Sequence, residues 1–301
     1  MIYKPRTKST ELIRLGILKK RMNLSKEDQQ HYFNLKKGYE GEVLFDSLTE
    51  KLQCECLILN DLLLKLNYTT FQIDSLIIAN GKIYFYEVKN LEGDYYYEEG
   101  KFYKKPNREI LNPLDQLSRS QALLQQLILN HGFKLPIDAS VVFINPSFTL
   151  YQAPLDKPII FTAQLKNYLA KLNATHSVIT DKHKKLAEKL VALHRRDSPF
   201  QQIPSYKYND LRKGITCVKC HSFSLTVGER NYTCNKCKYK ESIDKPILRN
   251  IQEFKILFPN ERMTTTIIHD WCQVVKSKRK IRTILLKNFT QRGSRRWAHY
   301  I

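Results

Sequence analysis

Residues 71–90, FQIDSLIIANGKIYFYEVKN, carry two runs in which side chains alternate between faces, separated by Asn80-Gly81. That pattern predicts a two-residue β-hairpin. With Ala79 paired to Lys82, the register sets Asp74 opposite Glu87. Period-2 alternation puts Lys89 on their face with Leu76, Ile78, Ile83 and Phe85. Ile73, Ser75, Ile77, Tyr84, Tyr86 and Val88 fall on the other face.

Helical spacing over 38–52 gives an apolar stripe at Leu44, Phe45, Leu48 and Leu52, with a strand expected near 53–60. Residues 94–105, DYYYEEGKFYKK, predict a second hairpin turning at Glu99-Gly100. NPLDQLSRSQALLQQLILNHG (112–132) reads as an amphipathic helix ended by Gly132. ASVVFINP (139–146) and PIIFT (158–162) read as buried strands, and 162–172 and 180–196 as helices. The mix predicts an α/β fold, a central mixed sheet flanked by helices. The domain order expected is a basic helical extension (1–37), the α/β domain (38–197), a proline-bearing linker (198–214), a cysteine module (215–245) and a basic helical segment (246–301).

The chain has 50 Lys and Arg against 29 acidic residues, a formal charge of +21. Residues 198–301 hold 21 of the basic and 7 of the acidic side chains, so a third of the chain carries two-thirds of the excess. Such a surface suits a polyanion, nucleic acid foremost. The sequence has no apolar run of membrane-spanning length and no signal-peptide pattern, so a cytoplasmic protein without a membrane partner is expected. A second copy or a protein partner is left open.

Two carboxylates at about 5 Å repel by about 3 kcal/mol at an effective dielectric of 20. Lys89 offsets part of this, and Mg²⁺ or Mn²⁺, which favour oxygen ligands, would offset more. The alternative is an ion-paired strand end. Cys217, Cys220, Cys234 and Cys237 form two C-x2-C knuckles thirteen residues apart, the spacing of a closed, structural Zn²⁺ site. Strand-turn-strand character around Gly228-Glu229 fits a zinc ribbon, and Lys219, Arg230, Lys236, Lys238 and Lys240 lean it toward nucleic acid. Cys54, Cys56 and Cys272 read as core.

The last segment shows a stripe at Ile267, Ile268, Trp271, Cys272 and Val275, then a second at Ile281, Ile284, Leu285 and Phe289. Lys278, Arg279, Lys280 and Arg282 open the second helix. This resembles a helix-turn-helix, with RGSRRWAHYI (292–301) as a wing that adds Arg295 and Arg296 to the expected nucleic-acid contacts; a plain helical hairpin is the alternative. Tyr95, Tyr96, Tyr97, Phe102 and Tyr103 either stack bases or build an ordinary twisted hairpin.

GYEGE (38–42), QID (72–74), EVKN (87–90) and NPLDQ (112–116), in that order, resemble the nuclease-related domain family of the PD-(D/E)XK phosphodiesterase superfamily, over about residues 30–150. Ile73 stands where the superfamily name would put proline. The resemblance implies a restriction-endonuclease-like core and a site of Glu42, Asp74, Glu87, Lys89 and Gln116. Asp74, Glu87 and the Val88 carbonyl would hold Mg²⁺ or Mn²⁺, with Glu42 completing the shell directly or through water. Lys89 would orient water or stabilise phosphate charge, and Gln116 would position its helix or contact a phosphate. The expected function is a metal-dependent endo- or exodeoxyribonuclease, with DNA ahead of RNA and the ribbon and basic segment docking the nucleic acid. The alternative is a nuclease-fold DNA- or RNA-binding adaptor that no longer cuts.

Overall fold

The computed structural model describes the chain except residues 229–230, 274–276 and the side chain of Arg296. The expectations placed on Glu229, Arg230, Val275 and Arg296 therefore lie outside the described residues. Contacts divide the chain into two units, Met1–Ser9 with Phe33–Gln201, and Thr10–Tyr32 with Gln202–Ile301.

In the first unit, Asn80 and Gly81 both take positive φ (50° and 67°), the backbone a tight primed turn requires. They join β3 (Thr69–Ala79) to β4 (Lys82–Lys89), and Ala79 pairs with Lys82 as expected. Strands β1 (Ile2–Lys4), β2 (Leu57–Leu66), β8 (Ile137–Phe143) and β10 (Ile159–Phe161) complete a six-stranded mixed sheet ordered β1-β2-β3-β4-β8-β10. Strand β8 is parallel to both neighbours, and its apolar run VVF (141–143) reflects burial on both faces.

Two helices cover one face of that sheet. Leu114, Leu117 and Leu124 of α3 (Pro113–Asn130) and Leu186 and Leu190 of α5 (Asp181–Leu193) pack on Leu76, Ile78, Ile83 and Phe85. Phe45 of α2 (Lys26–Thr49) and Leu165 and Leu172 of α4 (Thr162–Ala174) cover Ile58, Ile77, Tyr86 and Val142 on the other. Phe45 is fully buried, worth about 1.5–3 kcal/mol. Leu44, expected beside it, is exposed, because the inward face of α2 runs through Gly41, Phe45 and Thr49.

A smaller sheet, ordered β7-β6-β5-β9, is built from β5 (Gly93–Glu98), β6 (Lys101–Lys104), β7 (Arg108–Ile110) and β9 (Phe148–Tyr151). The turn falls at Glu99-Gly100 as expected, both with positive φ. Tyr95 and Phe102 are buried, so they are core rather than free stacking surfaces. Cys54 and Cys56 precede β2 instead of lying in it, and Cys56 is buried.

The second unit begins with α1 (Thr10–Arg21) and resumes after residue 201. Its cysteine module is a three-stranded antiparallel sheet of β11 (Leu225–Val227), β12 (Asn231–Cys234) and β13 (Lys240–Ser242). Three helices follow, α6 (Asp244–Leu257), α7 (Thr265–Cys272) and α8 (Lys278–Asn288), then the two-strand pair β14 (Gln291–Arg292) and β15 (His299–Tyr300). Arg21, with its side chain at 0% exposure, ties α1 into this core. Its five N–H donors reach Glu253, Asn250 and the carbonyls of Arg212 and Gly214, and its guanidinium lies 4.2 Å from the Trp271 ring centre.

Two expected boundaries differ. Residues 1–37 are not one extension, since β1 joins the first unit's sheet while Ile17, Leu18 and Leu24 belong to the second unit's core. Nor is 198–214 simply a linker: Leu211 is buried there, with Ile203, Tyr206 and Tyr208 packed against the same core. Both segments contribute side chains that local periodicity does not single out.

Candidate functional site

The hairpin ladder runs from Ala79/Lys82 to Ser75/Tyr86 and stops one pair short of Asp74/Glu87. Beyond that point β3 pairs with β2, and residues Glu87–Lys89 of β4 pair with Val141–Phe143 of β8. The strands therefore part like a fork, with Asp74 and Glu87 at its mouth. Simple alternation fails here. Ile73 and Leu76 lie in the same core cluster, as do Leu59 and Leu62 on β2, so both strands change face around Asp61, whose φ is +56°. At this break Oδ2 of Asp74 accepts the Val88 N–H at 2.8 Å, taking a donor the ladder no longer uses.

Glu87 is 2% exposed and Asp74 7%. Lys89 Nζ donates to Glu87 Oε1 at 2.7 Å and to Gln116 Oε1 at 2.9 Å. The helix bringing Gln116 there starts cleanly: Asn112 caps it through the Leu114 N–H, and Pro113 occupies its first turn. The second oxygen of Glu87, Oε2, is buried with no hydrogen-bond partner. An orphaned carboxylate oxygen is costly, about 1–3 kcal/mol or more for a charged group, so it invites a ligand.

Electrostatics follow from this crowding. Burial, then the charge of Asp74, push the Glu87 carboxyl up to about 7, against the pull of Lys89. Asp74 is also raised, chiefly by burial. Lys89 is raised: burial opposes its charge, but Glu87 and Asp74 outweigh it. Glu42 on α2 is pushed up to about 8 by burial and Asp74, despite its ion pair with Arg6. These groups sense one another, but they are not a closed three-acid cage. Among the described residues, the four cysteines are the one set of three or more potential ligands whose donor atoms all lie within 4.8 Å of each other.

Residues 37–144 match the family model described as nuclease-related domain. That stretch is similar to nuclease-related domains. It contains Glu42, Asp74, Glu87, Val88, Lys89 and Gln116, and the mixed sheet flanked by helices accords with the nuclease fold. No curated protein matches the chain. No solved structure matches it either.

Three supports of the nuclease-related domain went unnoticed in the sequence. Arg6, outside the matched stretch, has its side chain 3% exposed and binds Glu42, Asp46 (2.8 and 3.0 Å) and the Asp74 carbonyl (2.7 Å). Gly41 lets α2 touch Asn90, since a Cβ there would sit 2.5 Å from the Asn90 Cβ. Asn90 in turn donates to the Lys37 carbonyl at 2.7 Å and accepts from Asn145 at 2.9 Å, clamping the end of β4 between α2 and the end of β8. Gly41 and Asn90 stood inside the quoted motifs GYEGE and EVKN; Arg6 had no local signal.

In the second unit the thiols meet as the spacing required. Sγ of Cys217 lies 3.6 Å from that of Cys237, and Cys220 3.4 Å from Cys234. Tetrahedral Zn–S bonds near 2.3 Å place sulfurs about 3.8 Å apart, so the four could hold Zn²⁺. Both knuckles turn alike: His221 and Lys238, each following a second cysteine, have φ of 56° and 59°. Backbone N–H donation from Cys237 lowers the Cys234 thiol to about 6, while Cys237 itself, despite the Tyr239 N–H, is pushed up to about 12 by burial and the neighbouring thiols.

Lys278, Arg279 and Arg282 are exposed on α8, and Arg295 on the β14–β15 loop. Lys280 is exposed too but pairs with Asp244 at 2.8 Å. Among the described residues no helix is long and apolar enough to cross a membrane.

Proposed function

We propose that the chain is a Mg²⁺- or Mn²⁺-dependent nuclease that hydrolyses DNA phosphodiester bonds at the fork of β3 and β4. The observation that carries this reading is the buried, unpartnered Oε2 of Glu87 beside Asp74, with an ammonium held against the same carboxylate. The donor set, carboxylate oxygens of Asp74 and Glu87 with the Val88 carbonyl, suits a hard divalent cation. When bound, that cation would neutralise phosphate charge, lower the pKa of water and stabilise the leaving oxygen.

The chain's own groups supply the rest. Asp74 is fixed by the Val88 N–H, so its free oxygen has a set direction. Gln116 and Glu87 restrain the Lys89 ammonium, ready to meet a phosphate oxygen or orient the attacking water. Arg6, just after β1, restrains Glu42 of α2, leaving it to complete the ligand shell directly or through water. The cysteine module, as a structural zinc ribbon, and the basic C-terminal segment dock the nucleic acid.

The test is cleavage of supercoiled plasmid and of linear single strands with Mg²⁺, Mn²⁺ or no added divalent ion, comparing wild type with Glu87→Gln and Lys89→Ala. Metal-dependent cutting lost in both variants supports the proposal. Salt-sensitive binding without cutting in any metal would refute it in favour of an adaptor.

A further inference from the structure

The last fifty-eight residues have an order of elements that α7 and α8 alone do not reveal. Helix α6 leads to Met263, which bridges to Tyr300; α7 and α8 follow; then β14 pairs with β15 around a short loop. Tyr300 donates its N–H to the Met263 carbonyl at 2.9 Å, while Gln291 pairs with Tyr300 on its other side. Helix, strand, helix, helix, strand, loop, strand is the layout of a winged helix. Ile251 and Phe254 of α6, Ile268 and Trp271 of α7, and Ile281 and Leu285 of α8 build its core.

We infer that this winged helix is a duplex-DNA reader, with α8 entering the major groove and the β14–β15 loop lying along the adjoining backbone. The inference deepens the docking role proposed above and rests on that reading only for the partner being nucleic acid. Three observations carry it.

Helix α8 buries Ile281, Ile284 and Leu285, which turns Arg279, Thr283 and Leu286 outward, with Arg282 beside them. The helix has no acidic residue. Lys278, Arg279 and Arg282 make no ion pair or side-chain hydrogen bond among the described residues, whereas Lys280, on the other flank, is neutralised by Asp244. Cations without partners on one flank, and a paired one on the other, give the helix a charged side.

That side faces a cleft of about 550 Å³ shared with Gln291, Arg295 and the Thr264–Thr266 start of α7. The loop that closes the cleft is shaped by Gly293, whose φ is +71° and where a Cβ would sit 2.7 Å from the Trp297 carbonyl. This tight turn presents exposed Arg295 and Trp297.

The groove selects the partner. An α-helix about 10–12 Å across matches the B-DNA major groove, about 12 Å wide, and cannot enter the deep, narrow groove of A-form RNA. Arg279 and Arg282 have the fork geometry that clasps phosphate oxygens at the edges of the groove, and Leu286, 49% exposed, suits a thymine methyl. A single strand offers neither groove nor paired backbones for the loop.

The test uses the full-length Glu87→Gln protein with magnesium omitted and measures binding to a DNA duplex, its single strand and an RNA duplex of the same sequence over a salt series. The DNA duplex should bind at least about tenfold more tightly than the RNA duplex. Arg279→Ala/Arg282→Ala should weaken it by about tenfold or more and flatten the slope of log K against log salt by about 2, roughly 0.9 per lost phosphate-directed charge. Lys280→Ala should change that slope least, and Gly293→Ala should weaken duplex binding without removing any charge. Retained zinc and native Trp271 fluorescence establish that the variants fold. Equal affinity for both duplexes, or an unchanged slope in the double variant, overturns the inference. Cleavage of short single strands by the wild-type protein with Mg²⁺ or Mn²⁺ keeps the two readings apart: it is seen if only the duplex reader is wrong and is absent if the nuclease assignment is wrong.

Discussion

Replacing Glu87 by Gln should abolish cleavage and yet make the metal-free nuclease-related domain more stable at alkaline pH. The reasoning is thermodynamic linkage. The ordinary value for this carboxyl is 4.5, and the fold raises it to about 7, first by burial and then by Asp74. Below 4.5 the carboxyl is protonated both folded and unfolded, and contributes nothing. From 4.5 to 7 the unfolded chain releases the proton while the folded one holds it, so stability is lost progressively and the full loss persists above 7. At about 1.4 kcal/mol per unit the ceiling is about 3 kcal/mol. Gln escapes this cost, but the ion pair with Lys89 becomes a bond from an ammonium to a neutral amide, giving back about 1–2 kcal/mol. The difference between variant and wild type should therefore grow by about 2 kcal/mol in the variant's favour between about pH 5.5 and about pH 8.

Both tryptophans, Trp271 and Trp297, belong to the second unit, so fluorescence cannot report this change and serves as the control. Exchange of the buried β3 and β4 amides reads the first unit directly. Magnesium should be added or omitted, never chelated, so that the Zn²⁺ proposed for the cysteine module is not stripped. At a hundred times its dissociation constant Mg²⁺ would add about 2.7 kcal/mol to wild type and little to Glu87→Gln. A stability difference that does not vary with pH, together with equal protection of both proteins by Mg²⁺, would refute an uncompensated charge at the fork.

Gly41→Ala should force α2 away from Asn90 and carry Glu42 with it; cleavage should fall by about 10²-fold while exchange protection of β4 drops little, and equal losses in both would argue against a positioning role. Lys89→Ala should cut the rate by about 10²-fold or more with duplex binding by the full chain unchanged, read by single-turnover cleavage beside a binding titration. Elemental analysis should find zinc in wild type and in Cys54→Ser but none in Cys234→Ser, whose β11–β13 module should unfold. Arg21→Ala should destabilise the second unit by about 3 kcal/mol, visible in the Trp271 transition, because buried Glu253 keeps only Lys20 at 3.7 Å and Asn250 loses its donor.

Much of the site could be read locally because its residues lie on one hairpin and the helix ends near it. Asn80-Gly81 determined the register down to Ser75/Tyr86, and the two knuckles brought their thiols together as their spacing required. Alternation failed at Asp74 because it assumes an unbroken ladder. The paired face change of β2 and β3 at Asp61 is a property of two strands, visible in neither alone. Arg6 was invisible for a related reason: its partners Glu42, Asp46 and Asp74 are 36, 40 and 68 positions away. The helix stripe misplaced Leu44 because the face was chosen by hydrophobicity, while contact with Asn90 had placed Gly41 inward.

Arg21 also bears on the order in which the molecule can be made. Helix α1 leaves the ribosome before the matched stretch 37–144, but Glu253, which closes the Arg21 guanidinium, is synthesised 232 residues later. At about 5–20 residues per second the wait is roughly 10 to 50 seconds. Through that interval the positive charge stays hydrated and the apolar side of α1, with Ile17 and Leu18, has no native core to enter. The intervening chain supplies the nuclease-related domain in full, which can assemble first on its own sheet. Nascent chains arrested before Asn250 should therefore protect β3 and β4 while leaving α1 open to protease, so that a helix made before the nuclease-related stretch is secured after it.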